Sequence, residues 1–73
     1  MPKQRSASQI LGEAIRVERL KAGLTQEELA EKADLSLNYI GNIERAEYQI
    51  TVETLAKIAK ALKTNVSELT KGV

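Results

Sequence analysis

Apolar residues recur along most of the chain at the three- and four-residue spacing of helices, and no segment shows the sustained alternation of a strand. The first helix-spaced stretch ends at Gly23 and contains Leu11, Ile15 and Leu20 together with Ala14 and Ala22. Later stretches begin at residues that commonly cap helices: Thr25, Ser36, Thr51 and Asn65. The pattern predicts an all-α protein with helices near residues 8–22, 25–33, 36–45, 51–62 and 65–71.

The second and third predicted helices are short and closely linked. Thr25 and Glu28 have the spacing of a capping box at the start of the second helix. Only about three residues, ADL, separate the two helices, and Asp34 stands where the turn requires a left-handed backbone conformation. Ala30 supplies a small residue where the two helices must cross closely. Two short helices joined by so tight a turn are typical of a helix-turn-helix.

The third predicted helix, Ser36 to Arg45 (SLNYIGNIER), contains two Asn and one Gly, all weak helix formers. On a helical wheel, its core-facing side comprises Tyr39, Ile40, Ile43 and Glu44. The opposite side carries no acidic residue and comprises Leu37, Asn38, Gly41, Asn42 and Arg45. A small, polar, acid-free surface of this kind favours contact with the edges of DNA bases.

The residue types on this surface suit the major groove. Asn forms hydrogen bonds with adenine N6 and N7 together, a contact that discriminates between bases by about 1–3 kcal/mol. Leu37 fits a thymine methyl group, and Gly41 leaves room for the base edges. The alternative interpretation is an ordinary solvated helix face, but such faces favour Glu, Lys and Gln. The sequence therefore favours a helix that reads DNA.

Composition limits the other possibilities. The chain has 73 residues, a net charge of +1, and neither Cys nor His. We therefore expect one small domain with no disulfide, metal or cofactor and no ordinary general base for an enzyme. We also expect a cytoplasmic protein, because no apolar run approaches the about 20 residues that span a membrane and the N-terminus lacks a signal peptide. Residues 1–7 (MPKQRSA) lack periodicity and are expected to form a flexible basic arm ahead of a domain at residues 8–73.

The stretch GLTQEELAEKADLSLNYIGNIERAEYQITVETLAKIAKAL, with VSEL after it, resembles the phage-repressor and Cro-like helix-turn-helix family, often called the Xre type. The similarity runs from about Leu11 to Leu69. It implies a compact five-helix bundle of the lambda-repressor-like type, with the motif proper at residues 26–45. It also implies a sequence-specific, double-stranded DNA-binding transcriptional regulator. In this family the third helix lies in the major groove, and homodimers bind near-palindromic operators.

The resemblance implies roles for individual residues. Gln26 matches a glutamine that contacts phosphate and also forms a hydrogen bond with a side chain of the third helix. In this sequence the expected partner position is Leu37, which cannot form a hydrogen bond. A phosphate contact alone is therefore expected for Gln26. Ser36 matches a helix cap that also touches phosphate. Arg19 and Glu44 match a structural ion pair between the first and third helices, and the wheel independently places Glu44 inward. The full set of expected DNA-binding residues is Gln26, Ser36, Leu37, Asn38, Tyr39, Asn42 and Arg45.

Some positions depart from the family pattern. Ala46 stands where a left-handed Gly is common, and Glu47 lies in a loop that often carries basic residues. Strong backbone contacts from this loop are therefore not expected, and Tyr48 either donates a hydrogen bond to DNA or packs over the fourth helix. Glu27 and Glu31 match acids that touch RNA polymerase in some members, but the favourable effect of acids near a helix N-terminus is the preferred explanation.

The similarity leaves the biological setting open. Controller proteins of restriction–modification systems, antitoxins and small phage repressors share this architecture, and an autoregulating transcriptional regulator is favoured. The alternative is an antitoxin-like protein-binding module with a cognate partner protein, whose DNA binding is secondary. A dimer surface is expected around the end of the fourth helix and the fifth, with Val66, Leu69 and Val73 as candidates. The alternative for Val66 and Leu69 is that they close the core, which is expected for at least one of them.

Overall fold

The computed structural model describes residues 6–73, and within this range it contains five helices and no strand. The helices are α1 (Ala7–Lys21), α2 (Gln26–Ala33), α3 (Leu37–Glu44), α4 (Val52–Ala61) and α5 (Val66–Leu69). The all-α prediction and the order of the helices are confirmed. The predicted ranges for α2 to α5 each began one residue early, because they included the residue that caps the helix.

The start of α1 differs from the prediction. Ser6 Oγ accepts a hydrogen bond from the Gln9 amide at 3.1 Å, and Gln9 Oε1 accepts one from the Ser6 amide at 2.8 Å. This capping box places Ala7 in the first turn of α1, so Ser6 and Ala7 do not belong to the predicted arm. The remainder of that arm, residues 1–5, lies outside the described residues.

The other helices begin at the caps expected from the sequence. Thr25 and Glu28 form the predicted capping box, with donor–acceptor distances of 2.8 and 3.0 Å. Ser36, Thr51 and Asn65 each accept a hydrogen bond from the amide three residues later. These bonds satisfy amides that have no partner within the helix. Local side-chain chemistry therefore fixes where these helices begin.

The first four helices end in the same kind of left-handed turn. In each, the residue after the turn donates its amide to the carbonyl five residues earlier, at 2.8–3.1 Å. The left-handed positions are Gly23, Asp34, Ala46 and Lys63. Asp34, with φ of 58°, confirms the predicted turn between α2 and α3. Ala46 adopts the left-handed conformation that favours Gly, with φ of 61°.

Aliphatic side chains from all five helices form the core. Its fully buried large residues are Ile15, Leu29, Ile40, Ile58 and Leu69. α3 packs against both α1 and α2, and α2 also packs against α4. Ala30 is buried, as expected for a small residue where helices cross closely. Because α1 and α2 support α3 from one side, only the other side of α3 faces solvent.

The predicted apolar stripe of α1 is wrong at its C-terminal end. Leu20 is 53% exposed and Ala22 is also exposed. The buried side of α1 instead repeats every four residues, from Leu11 and Ile15 to Arg19. The charged residue Arg19 therefore occupies the inward position that the hydrophobic pattern assigned to Leu20.

Two of the three candidates for the dimer surface serve the core, which is the alternative given for them. Leu69 is fully buried and closes the core, and Val66 packs against that core. Of the three candidates, only Val73 is largely exposed. A domain this small buries a low fraction of its surface and needs most of its apolar residues for the core. The apolar residues of α5 are therefore used there.

α1 and α3 approach each other closely at Gly12. A methyl group at this position would lie 2.5 Å from the carbonyl oxygen of Ile43 and 3.0 Å from that of Glu44. Only a residue without a side chain permits this contact. Gly12 therefore helps to set the position of α3 on the domain, a role that no local pattern in the sequence indicated.

Candidate nucleic-acid interface

α3 divides into a buried and an exposed side, as its helical wheel predicts. Ile40 and Ile43 are 0% and 3% exposed, whereas Leu37 is 46% exposed and Asn38 is also exposed. The carboxylate of Glu44, the one acid within α3, has a side-chain exposure of only 3%. The outer side of α3 therefore presents an apolar side chain and amides without a negative charge.

The predicted ion pair between α1 and α3 is confirmed. Arg19 Nε lies 2.7 Å from Glu44 Oε2, and Arg19 Nη2 lies 3.1 Å from Glu44 Oε1. Arg19 Nη1 donates to the Leu24 carbonyl at 2.9 Å. The two side chains are 10% and 3% exposed. This geometry is the bidentate arrangement in which a guanidinium and a carboxylate form their strongest contact.

Gln26, the first residue of α2, joins this pair. Its Nε2 donates to Glu44 Oε1 at 3.1 Å, so one carboxylate receives hydrogen bonds from α1 and from α2. The expectation that Gln26 serves a phosphate contact alone is therefore wrong, because its amide has a partner within the domain. The separation of 18 residues along the chain hid this partner. A phosphate contact by Gln26 remains a prediction.

The first turn of α2 contains Glu27 and Glu28. The backbone amide of Thr25, and then its hydroxyl, hold the pKa of the Glu28 carboxyl below its ordinary value. Acids in this turn interact favourably with the helix dipole, which accounts for Glu27 as well. Glu31 lies beyond the first turn, so the dipole does not explain it.

A capping serine and two tyrosines surround the exposed side of α3. Ser36 caps α3 through its hydroxyl, which accepts from the Tyr39 amide at 3.0 Å. The Tyr39 ring packs partly against the core, and its hydroxyl lies 3.5 Å from Thr54 Oγ1. Tyr48 is 56% exposed, and its ring centroid lies 6.1 Å from that of Tyr39. The two rings therefore tie the loop after α3 to the flank of that helix.

The C-terminal end of α3 carries a cluster of polar side chains. Arg45 Nη2 donates to Asn42 Oδ1 at 2.6 Å, and Arg45 Nε donates to Glu47 Oε1 at 3.2 Å. Gly41 is buried, and the Arg45 side chain covers it so closely that a methyl group at position 41 would lie 3.0 Å from Arg45 Nη1. The expectation that Gly41 presents an open surface to the bases is therefore wrong for this arrangement. The sequence singled out Asn42 and Arg45 but not their contact.

The described part of the chain offers no sign of other site types. No group of three or more His, Cys, Asp or Glu side chains lies close enough to hold a metal ion within residues 6–73. No helix in that range is long and apolar enough to cross a membrane. On α3 itself, the amide of Asn38 is exposed and that of Asn42 is half-buried.

The fold and this surface define a helix-turn-helix domain, and comparisons with known proteins agree. Residues 15–69 match the helix-turn-helix family. The control protein C.SmaI of Serratia marcescens is 46% identical over 61 residues, which cover 84% of this chain and 73% of C.SmaI. The immunity repressor of Bacillus phage phi105 is 42% identical over 59 residues, covering 81% of this chain but 41% of the repressor.

Solved structures show the same relationship. The restriction–modification controller protein C.AhdI from Aeromonas hydrophila superimposes with a TM-score of 0.83 at 32% identity, covering 85% of this chain and 94% of C.AhdI. The chain belongs to the helix-turn-helix family, as its sequence motifs indicated. It is a DNA-binding transcriptional regulator. These relatives are regulators rather than enzymes, and they lend no support to the antitoxin alternative.

Proposed function

We propose that this protein is an autoregulator of the restriction–modification controller type. It acts in the cytoplasm as a homodimer on a near-palindromic operator in its own promoter, and α3 of each subunit enters the major groove. The observation that carries this proposal is the outer side of α3, which is exposed, free of acid and fixed in place by α1 and α2. Similarity to C.SmaI and C.AhdI over most of the chain supports the controller type.

The network at Glu44 gives α3 the rigidity that base recognition requires. Arg19 and Gln26 hold the last residue of α3 from two other helices. Gly12 brings the backbones of α1 and α3 together beside that residue. A DNA-reading side chain discriminates between bases only when its backbone is held at a defined distance and angle. The buried ion pair therefore serves DNA binding without touching DNA.

The proposed contacts divide into two groups. Leu37, Asn38 and Asn42 read base edges, and Ser36 with Gln26 approaches the phosphate backbone. Tyr39 and Arg45 complete the predicted interface from the flank and the C-terminal end of α3. Contacts to phosphate set the register of the protein on DNA, whereas contacts to bases supply specificity. Substitutions in the two groups should therefore have different effects on specific and random DNA.

Selection of bound sequences from a random DNA pool tests the proposal directly. We expect a near-palindromic site whose halves lie about 34–36 Å apart, one turn of DNA. Asn38→Ala and Asn42→Ala should each weaken binding to that site by about 1–3 kcal/mol and change binding to random DNA little. Leu20→Ala, a substitution at an exposed position of α1 outside the proposed DNA and dimer surfaces, is the control. If both Asn variants bound the selected site as tightly as the wild type, α3 would not be the reading helix.

The proposed dimer needs a surface that the core does not already use. One α3 covers only a few base pairs, and a net charge of +1 adds little affinity for DNA in general. Pairing of two subunits doubles the contacts to bases and the contacts to phosphate. The C-terminal end remains the proposed surface, with Val73 in place of the buried Leu69 because Val73 is 63% exposed.

Sedimentation equilibrium tests the dimer. Val73→Lys should weaken association, whereas Val52→Lys should not, although Val52 is even more exposed at 79%. Both variants add the same charge and remove the same apolar side chain, which makes them a matched pair. A wild-type protein that is monomeric at every concentration and binds DNA singly would refute the dimer and the palindromic operator together.

A further inference from the structure

The side chain of Arg45 folds back along α3 instead of extending into solvent. Its guanidinium is held at one edge by Glu47, 3.2 Å from Nε, and at the other by Asn42, 2.6 Å from Nη2. Between these two contacts it lies over Gly41. Arg45 and Glu47 are more than half exposed, so this arrangement belongs to the outer surface of the domain and not to its core.

The contact with Arg45 determines which way the Asn42 amide points. A guanidinium has only donors, so the atom that faces it is the amide oxygen, and the amide NH₂ points elsewhere. Adenine recognition requires an Asn amide to accept from N6 and donate to N7 at the same time. Here Asn42 Oδ1 already accepts a short, charge-assisted hydrogen bond, which uses one of its two lone pairs and places a cationic donor beside the other. Asn42 is therefore poorly prepared to read adenine, contrary to the expectation from residue type.

Asn42 and Arg45 together offer hydrogen-bond donors. Asn42 contributes its Nδ2 hydrogens, and Arg45 contributes the guanidinium hydrogens that its two partners do not use. In the major groove, guanine presents two acceptors, N7 and O6, whereas adenine presents one acceptor and one donor. The hydrogen-bonding groups that this pair leaves free are mainly donors, which match the two acceptors of guanine and place a donor against the donor of adenine.

We propose that Asn42 and Arg45 form one donor-rich reading unit that selects guanine, and that Glu47 is the positioning residue that holds it. The proposal rests on the proposed function, in which α3 enters the major groove. It also accounts for the acid that follows α3: Glu47 pairs with Arg45 rather than facing phosphate.

Gly41 makes this arrangement possible. Gly weakens a helix relative to Ala, yet a methyl group at position 41 would lie 3.0 Å from Arg45 Nη1 and 3.6 Å from Nη2. The guanidinium is the end of a flexible side chain and would move aside. Gly41→Ala should therefore raise the melting temperature while it displaces the reading unit, which separates a loss of recognition from a loss of folding.

Selection from a random DNA pool, followed by binding titrations, tests the inference. The relevant base is the one whose preference disappears in Asn42→Ala. For the wild type, we expect guanine over adenine at that base by about 5- to 150-fold, the range for one good base contact. Glu47→Gln should reduce this preference several-fold without weakening binding to random DNA, because it removes a negative charge. Glu31→Gln, which changes the charge equally on exposed α2 surface, should leave the preference unchanged.

The outcomes distinguish this inference from the proposed function. A wild-type site with adenine at the Asn42-dependent base would overturn the donor-rich unit while leaving α3 as the reading helix. Unchanged guanine preference in both Glu47→Gln and Gly41→Ala would overturn the positioning role of Glu47. If the wild type selected no sequence from the pool, the proposed function itself would fail, and this inference with it.

Discussion

Removal of the Glu44 carboxylate is expected to destabilise the domain severely. In Glu44→Ala, the Arg19 guanidinium remains in place with its side chain only 10% exposed. It keeps the Leu24 carbonyl as a partner but loses both bonds to the carboxylate. Gln26 loses its partner as well. The folded state then contains a poorly solvated positive charge, and this raises the free energy of the folded state.

The expected magnitude follows from burial. Breaking one side of a buried ion pair costs about 3–5 kcal/mol, whereas an exposed pair contributes about 0–1 kcal/mol. The side chains of Arg19 and Glu44 are 10% and 3% exposed, so we expect a cost in the higher range. The total stability of a small domain is about 5–15 kcal/mol. At about 4–8 °C per kcal/mol, the melting temperature should fall by about 12 °C or more.

Thermal and urea unfolding of Glu44→Ala, Arg19→Ala and the double variant measure this effect. The double variant should be far less destabilised than the sum of the two single variants, because it leaves no charge behind. Glu18→Ala is the control: it breaks the exposed Lys21–Glu18 pair, which has an N···O distance of 3.4 Å, and should cost less than about 1 kcal/mol. Additive losses in the double variant would refute the interpretation of Arg19 and Glu44 as one unit.

Three further predictions concern the backbone and one cap. Ala46→Gly should stabilise the domain by about 1 kcal/mol in urea unfolding, because Ala46 has φ of 61°. Ala56→Gly, at an exposed position inside α4, should destabilise it. Equal effects of the two substitutions would contradict a role for the backbone conformation at Ala46. Gly12→Ala should destabilise by about 1–3 kcal/mol despite the higher helix propensity of Ala, because its methyl group meets the Ile43 carbonyl; a higher melting temperature would show that α1 and α3 adjust freely. The pKa of Glu28 is lowered in the folded state by the Thr25 amide, so the stabilisation by its charge is present above the unfolded-state pKa and is lost as the pH falls through the folded-state pKa. Glu28→Gln keeps a capping side chain but cannot titrate, so its stability should depend less steeply on pH between those two values, and identical acid unfolding curves would refute the assignment.

Features that depend on near neighbours along the chain were predictable from the sequence. The caps at Thr25, Ser36 and Thr51 were predictable because each involves a side chain and an amide three residues apart. The left-handed turn at Asp34 was predictable because few residue types tolerate that conformation. The burial of Ile40 and Ile43 followed from helical periodicity. The Arg19–Glu44 pair was also predicted, but from family resemblance together with the inward position of Glu44.

Features that depend on residues far apart in the chain became visible only in the packed structure. The Gln26–Glu44 bond and the role of Gly12 appear only when α1, α2 and α3 are packed together. Hydrophobicity alone placed Leu20 inward, yet Arg19 takes that position because a carboxylate 25 residues away compensates its charge. Periodicity identifies the faces of a helix from side chains one turn apart, but which residues meet across helices depends on how the backbones pack. That packing is a property of the whole chain and is not encoded in any single segment.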